Sequence, residues 1–458
     1  MLFNSYEFIL AFLPITCIVF FILGHQGKPQ MATIWLVVAS FFFYGWWDIR
    51  YVPLLFASIT FNYMVGRKLE KSPGQKSWLI CGIAVNLLLL GYFKYTDFFI
   101  TTVNDIAGVN YFDLPHIVLP LGISFFTFTQ TAYLVDAFRG EAKNESFITY
   151  CEFVTIFPHL IAGPIINHKE MIPQFISPIT FKLDYENMAK GLTIFSLGLF
   201  KKVVIADNLA IWSNKAFSAI DALTLLEAWW GALSYSLQLY FDFSGYSEMA
   251  IGLGLMINLN FPINFNSPYK ACSIIDFWRR WHMTLGLWVK NYLYIPMGGN
   301  RHGELMKMRN LLSSMLLIGL WHGAGWTFVI WGGIHGAALV INHQWRRLKY
   351  SLPQVINWLL TFICVVFLWV FFRAENVQDG WKFVTAMVNV SNIDASWVTL
   401  RKFLILCIAI GLMRYLPNTL DLMDKFHPSK KWAVIIAALL IYSVMQLDSY
   451  SEFLYFQF

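Results

Sequence analysis

Residues 311–336 read LLSSMLLIGLWHGAGWTFVIWGGIHG. Apolar residues flank His322 on both sides, in a block (310–333) as long as the roughly 20 residues that cross a hydrocarbon core as helix. Similar blocks lie near residues 8–24, 31–47, 51–66, 77–93, 117–136, 147–166, 188–206, 225–241, 354–372, 402–416 and 431–447. Composition agrees with this reading. The chain is 57% hydrophobic and only 13% charged, against about a quarter charged in soluble domains. A water-soluble protein of this length could not hide that much apolar surface. Aromatics reach 18%, as expected where amphipathic rings anchor segments at the membrane interfaces. The alternation of a transmembrane barrel is missing. The sequence therefore predicts an all-α integral membrane protein with roughly 10–12 transmembrane helices.

Charge placement gives topology rather than partners. The net charge of +6 does not point to nucleic acid, because Lys and Arg collect in short connecting stretches. Residues 67–76 hold Arg67, Lys68, Lys71 and Lys76 beside a Pro73-Gly74 turn signal, which predicts a cytoplasmic loop. Counting back three spans puts the N-terminus outside the cytoplasm. Residues 345–349 form a second cytoplasmic candidate. Phe8 to Leu23 is apolar without a basic lead-in, so it reads as a retained first span rather than a signal peptide. The cysteines form no CxxC pair and suggest neither a disulfide framework nor a metal site.

Residues 259–309 differ from their surroundings, being rich in Asn, Pro, Gly, Arg and Trp. Their apolar runs are too short to cross, so short helices and re-entrant segments are expected. Irregular backbone at membrane depth is tolerated only where protein or a water-filled cavity surrounds it. This insert is therefore the expected chamber of a single domain spanning 1–458.

An ionisable group inside a span costs at least a few kcal/mol, which makes His322 a functional candidate. A neutral imidazole bonded within the bundle explains it equally well. Gly319, Gly323, Gly325, Gly332, Gly333 and Gly336 surround it and have two uses, close helix packing or room for a slender substrate. His335 and His343 follow nearby, as partners or as packing. His282 ends the run Phe277-Trp278-Arg279-Arg280-Trp281-His282. On one helix, Trp278 and His282 would share a face. Arg279, Arg280 and Arg301 could hold phosphate or serve packing and topology. Asp242 and Glu248 sit at an expected helix–helix break, where buried carboxylates need partners. Phe157–Pro164 is a second expected kink. Walker, Rossmann, HExxH and GxSxG patterns are missing, and two histidines point to acid–base or acyl-transfer work.

WHG at 321–323 resembles the signature of the membrane-bound O-acyltransferase family. FDFSGYSEMAIGLG (241–254), FNSPYK (265–270), DFWRRWHMTLGLWVKNYLYIPMGGNR (276–301) and LWHGAGWTFVIWGGIHG (320–336) are similar to its bacterial alginate O-acetyltransferase branch. MLFNSYEF, FPHLIAGPI and FLYFQF extend the resemblance over essentially the whole chain. It implies a ring of helices around a central tunnel in the bacterial inner membrane. It also implies a periplasmic or extracellular partner protein, and acylation of exopolysaccharide, peptidoglycan or teichoic acid. The donor would be acetyl-CoA or an acyl carrier protein thioester, with no permanently bound cofactor or metal. His322 would be the general base and His282 would orient the thioester or stabilise its oxyanion. An acyl-imidazole on His322 is the alternative route. Arg279, Arg280 and Arg301 would attract the donor's phosphates, and Trp321, Trp281 and Gly323 would line the tunnel. A transporter or flippase, or a scaffold of an envelope complex, is the competing class.

Overall fold

The structure, a computed structural model, describes residues 1–72, 74–142, 145–394, 398–415, 417–423, 426–447 and 454. The first helices are α1 (Leu13–His25), α2 (Pro29–Gly45), α3 (Val52–Lys71), α4 (Lys76–Leu90), α5 (Thr96–Ala107), α6 (Ile123–Phe138) and α7 (Phe147–Thr155). Then come α8 (Phe157–Leu160), α9 (His168–Phe175), α10 (Tyr185–Phe200), α11 (Asp207–Phe217), α12 (Leu225–Met256), α13 (Ile274–Trp278) and α14 (Met283–Val289). The last are α15 (Gly303–His322), α16 (Trp326–Arg347), α17 (Gln354–Arg373), α18 (Val377–Val388), α19 (Leu400–Tyr415), α20 (Thr419–Met423) and α21 (Lys430–Met445). Among the described residues there is no strand.

Helix starts follow local chemistry. Proline occupies the first turn of α1, α2 and α3, where its missing N–H costs nothing. Ser146, Asn167, Ser273, Asn376 and Ser429 cap α7, α9, α13, α18 and α21 by accepting a backbone N–H, which stabilises each start by about 1 kcal/mol.

Two compact units divide the chain. The first comprises Met1–Gly198, Tyr246–Pro262 and His427–Leu447. Within it α3 and α4 pack on α6. Gly66 lies against the Tyr133 ring and Gly82 against Leu134. Asn62 and Asn86 exchange amide hydrogen bonds of 3.2 and 2.6 Å while buried, a polar bond between neighbouring helices. The expected kink at 157–164 is present and its histidine is fully used. His159 Nδ1 lies 2.8 Å from the Pro164 carbonyl and Nε2 lies 3.1 Å from the Thr129 hydroxyl.

The second unit comprises Leu199–Gly245, Ile263–Phe426 and Asp448–Phe458. Here α15 and α16 form a hairpin, α16 also packs on α17 and α13, and α17 packs on α18. Glu304 near the start of α15 pairs with Arg347 at the end of α16, closing the hairpin's open end.

Among the described residues, three helical stretches, Phe8–His25, Lys76–Ala107 and Gln354–Arg373, are long and apolar enough to cross a membrane, and Pro29–Gly45 is a shorter apolar helix. Ile15, Ile18 and Ile22 on α1 and Val355, Leu359 and Leu360 on α17 are exposed. Apolar surface of that extent calls for lipid rather than water.

Several sequence expectations need correction. The block 310–333 is two helices, because Gly323 and Gly325 adopt extended backbone between α15 and α16. His322 is thus a helix C-terminus rather than a mid-span residue. The block 147–166 breaks at Ile156, and 117–136 is helical only from Ile123. No break separates Asp242 from Glu248, since α12 runs through both. Arg67, Lys68 and Lys71 belong to the end of α3 rather than to a loop. Within 259–309 the elements are short, as the composition implied, and the last residues already form the start of α15.

Candidate active site

The α15–α16 hairpin places His322. A Cβ on Gly319 would fall on the Phe328 carbonyl oxygen and lie 3.1 Å from Gly332 Cα, while one on Gly332 would strike the Met315 carbonyl. A Cβ on Gly323 would enter the Phe328 ring. These glycines therefore serve close packing, one of the two uses their spacing suggested. The packing holds His322, 3% exposed, among Trp321, Trp331 and Phe372 at ring-centroid distances of 4.8, 5.3 and 5.3 Å.

The insert brings His282 to the same place. α13 ends at Trp278, and His282 sits before α14 with φ of 45°. The shared helical face of Trp278 and His282 is therefore not formed. Left-handed backbone costs a non-glycine residue about 1–2 kcal/mol, so neighbours must hold it. Asn264 does so. Its side-chain oxygen lies 3.1 Å from His282 Nδ1, 3.3 Å from the Thr284 N–H and 2.9 Å from the Thr284 hydroxyl. Its carbonyl accepts from the Met283 N–H at 2.9 Å. Strain of this kind, maintained by surrounding bonds, is concentrated at functional sites.

The two imidazoles meet. Their ring centroids lie 6.4 Å apart, and Trp321 stands 6.2 Å from His282 and 4.8 Å from His322. Phe243 of α12 meets His282 edge to face at 4.8 Å. The chain belongs to the membrane-bound O-acyltransferase family. The family model matches residues 116–378, which contain both histidines and every element around them named above. A peptidoglycan O-acetyltransferase of Helicobacter pylori is 47% identical over 427 residues, covering 86% of this chain and 81% of that protein. A probable alginate O-acetylase of Pseudomonas aeruginosa is 44% identical over 402 residues, covering 85% and 75%. A teichoic acid D-alanyltransferase of Streptococcus thermophilus is 28% identical over 249 residues, covering 51% and 59%. The chain is accordingly an O-acyltransferase, and the transporter and scaffold readings give way.

The remaining candidates in this acyltransferase fall outside the imidazole pair. Trp281 packs against Phe277, Trp369 and Phe265 at 5.6, 4.9 and 5.1 Å, as part of the aromatic core. Arg280 turns to Asp276 at 2.9 Å and to the Asn266 carbonyl at 3.3 Å. Arg279 and Arg301 are exposed. His335 is fully buried, and its Nδ1 accepts the Trp278 indole N–H at 3.3 Å. His343 is half-buried near the end of α16. Asp242 pairs with Lys202, which also meets Asp207. Among the described residues no group of three His, Cys, Asp or Glu is placed to hold a metal ion.

Sequence reasoning missed Asn264 and Lys202. Asn264 lies in a Pro-rich loop whose only signal was its place in the polar insert. Lys202 lies in a short π-helical stretch, Lys201–Ala206, a local widening often found at functional or strained positions.

Proposed function

We propose that this enzyme transfers an acetyl group from a thioester on the cytoplasmic side to a hydroxyl of an envelope polysaccharide on the outer side. The observation that carries the reading is the approach of His282 and His322, from two separate elements, to a 6.4 Å ring separation. His322 is the general base. The hydroxyl O–H bond breaks and its proton passes to the imidazole as the oxygen attacks the thioester carbonyl carbon. The tetrahedral intermediate collapses, the C–S bond breaks, and the leaving thiolate takes the proton from the imidazolium. Burial among Trp321, Trp331 and Phe372 keeps bulk water from competing with the acceptor.

Acetyl-CoA is the proposed donor, with an acyl carrier protein thioester as the other member of that chemical class. Arg279 and Arg301, being exposed, are available for its phosphates. An alginate-like exopolysaccharide is the proposed acceptor. Peptidoglycan is the second reading, supported by the 47% identity to a peptidoglycan O-acetyltransferase. An extracytoplasmic partner protein presents the acceptor polysaccharide to this site. The helices ring a tunnel across the bacterial inner membrane, with the N-terminus outside.

The test supplies radiolabelled acetyl-CoA to membranes containing the enzyme and follows alkali-labile label in exopolysaccharide and in peptidoglycan separately. Label in either fraction that depends on His322 supports the reading. Label that stays as free acetate, equal with and without His322, removes it.

A further inference from the structure

The bonds around Asn264 fix more than a backbone angle. The backbone N–H of Thr284 can only donate, so the Asn264 side-chain atom facing it is the oxygen. The same oxygen lies 3.1 Å from His282 Nδ1. Oxygen accepts, so Nδ1 must carry the hydrogen. A neutral imidazole has one N–H and one lone pair, which leaves the lone pair on Nε2. The Thr284 hydroxyl, which donates to the same oxygen at 2.9 Å, and the 1% exposure of Asn264 keep the amide from turning over.

We propose that Asn264 is a positioning residue for acyl transfer, holding His282 as the Nδ1–H tautomer so that Nε2 accepts a hydrogen bond from the hydroxyl-bearing substrate. This inference rests on the reading that the histidine pair is the reacting centre. It changes the role expected for His282. A thioester carbonyl and its oxyanion only accept hydrogen bonds, so a neutral His282 with its lone pair on Nε2 gives them nothing. A sugar can donate. One hydroxyl surrenders its proton to His322, while a neighbouring hydroxyl or amide N–H of the same sugar donates to His282. The pair thus favours an acceptor with two adjacent donor groups, which a glycan has and a simple alcohol, with its single O–H, lacks. The Asn264 oxygen also serves the strained backbone at His282, so tautomer and ring position are set by one side chain, as outer ligands do for imidazoles at metal sites.

The test combines isotope-edited imidazole NMR of the full chain in nanodiscs with acetyl transfer from acetyl-CoA to the endogenous envelope glycan. In the wild type, the His282 signals, identified by difference with His282→Gln, should show protonated Nδ1 and unprotonated Nε2. Asn264→Leu should lose that preference and slow transfer about 10–100-fold, with KM for acetyl-CoA changed by less than about twofold. Asn264→Asp retains an accepting oxygen, so it should retain the Nδ1–H signal and lose much less activity. Protonated Nε2 in neutral wild-type His282 overturns the proposal, as does Asn264→Leu turning over like wild type. If Asn264→Leu does not fold, the wild-type spectrum and the Asn264→Asp spectrum decide alone. Full transfer by His322→Ala would instead remove the parent reading. Inactive His322→Ala and His282→Gln beside an unaffected Asn264→Leu would remove only the role of Asn264.

Discussion

Lys202 Nζ lies 2.8 Å from a carboxylate oxygen of Asp242 and 2.6 Å from one of Asp207, with all three side chains buried. The other Asp242 oxygen accepts the Leu454 N–H at 3.2 Å. One cation between two carboxylates leaves a buried net negative charge if the cation is removed. Lys202→Met should therefore destabilise the protein by about 3–5 kcal/mol, seen as a large drop in detergent-solubilised thermal stability. Replacing Lys202, Asp207 and Asp242 together by apolar residues should recover most of that loss. Equal instability of the single and triple variants would show that the ion cluster is not the cause.

Trp278 donates to His335 at 3.3 Å and joins the polar insert to α16. Trp278→Phe leaves a buried imidazole nitrogen without its donor, at a cost of about 1–3 kcal/mol. A double-mutant cycle with His335→Phe should show coupling of the same order. Additive effects of the two substitutions would contradict a direct bond.

The hairpin should discriminate sharply between glycines. Gly319→Ala meets the Phe328 carbonyl and Gly332→Ala the Met315 carbonyl, and two helix backbones cannot yield as a side chain would. Both variants should express poorly or lose thermal stability. Gly411→Ala on α19 meets nothing within 4 Å and should be neutral or stabilising by up to about 1 kcal/mol. Comparable melting shifts in all three variants would contradict the close approach of α15 and α16.

The helical class and the special character of 259–309 were legible because burial in lipid writes itself into composition and block length. The pairing of His282 with His322 came from resemblance, since nothing in local periodicity joins two such distant residues. What stayed hidden was set by tertiary contacts. Gly323 and Gly325 fell inside one apolar block, yet they form the turn between α15 and α16. Trp278 and His282 fitted a helical spacing, but Asn264 draws His282 into left-handed backbone and ends that register. Asp242 needed a partner, and Lys202, which supplies it, lies in a π-helical stretch that no apolar pattern announces.

The central claim is that His322 activates the acceptor hydroxyl. Its most direct test is the alkali-releasable acetate of the envelope polysaccharide in cells carrying His322→Ala at protein levels matched to wild type. Acetate should fall to the level of cells lacking the protein. Wild-type acetylation in that variant would contradict the account.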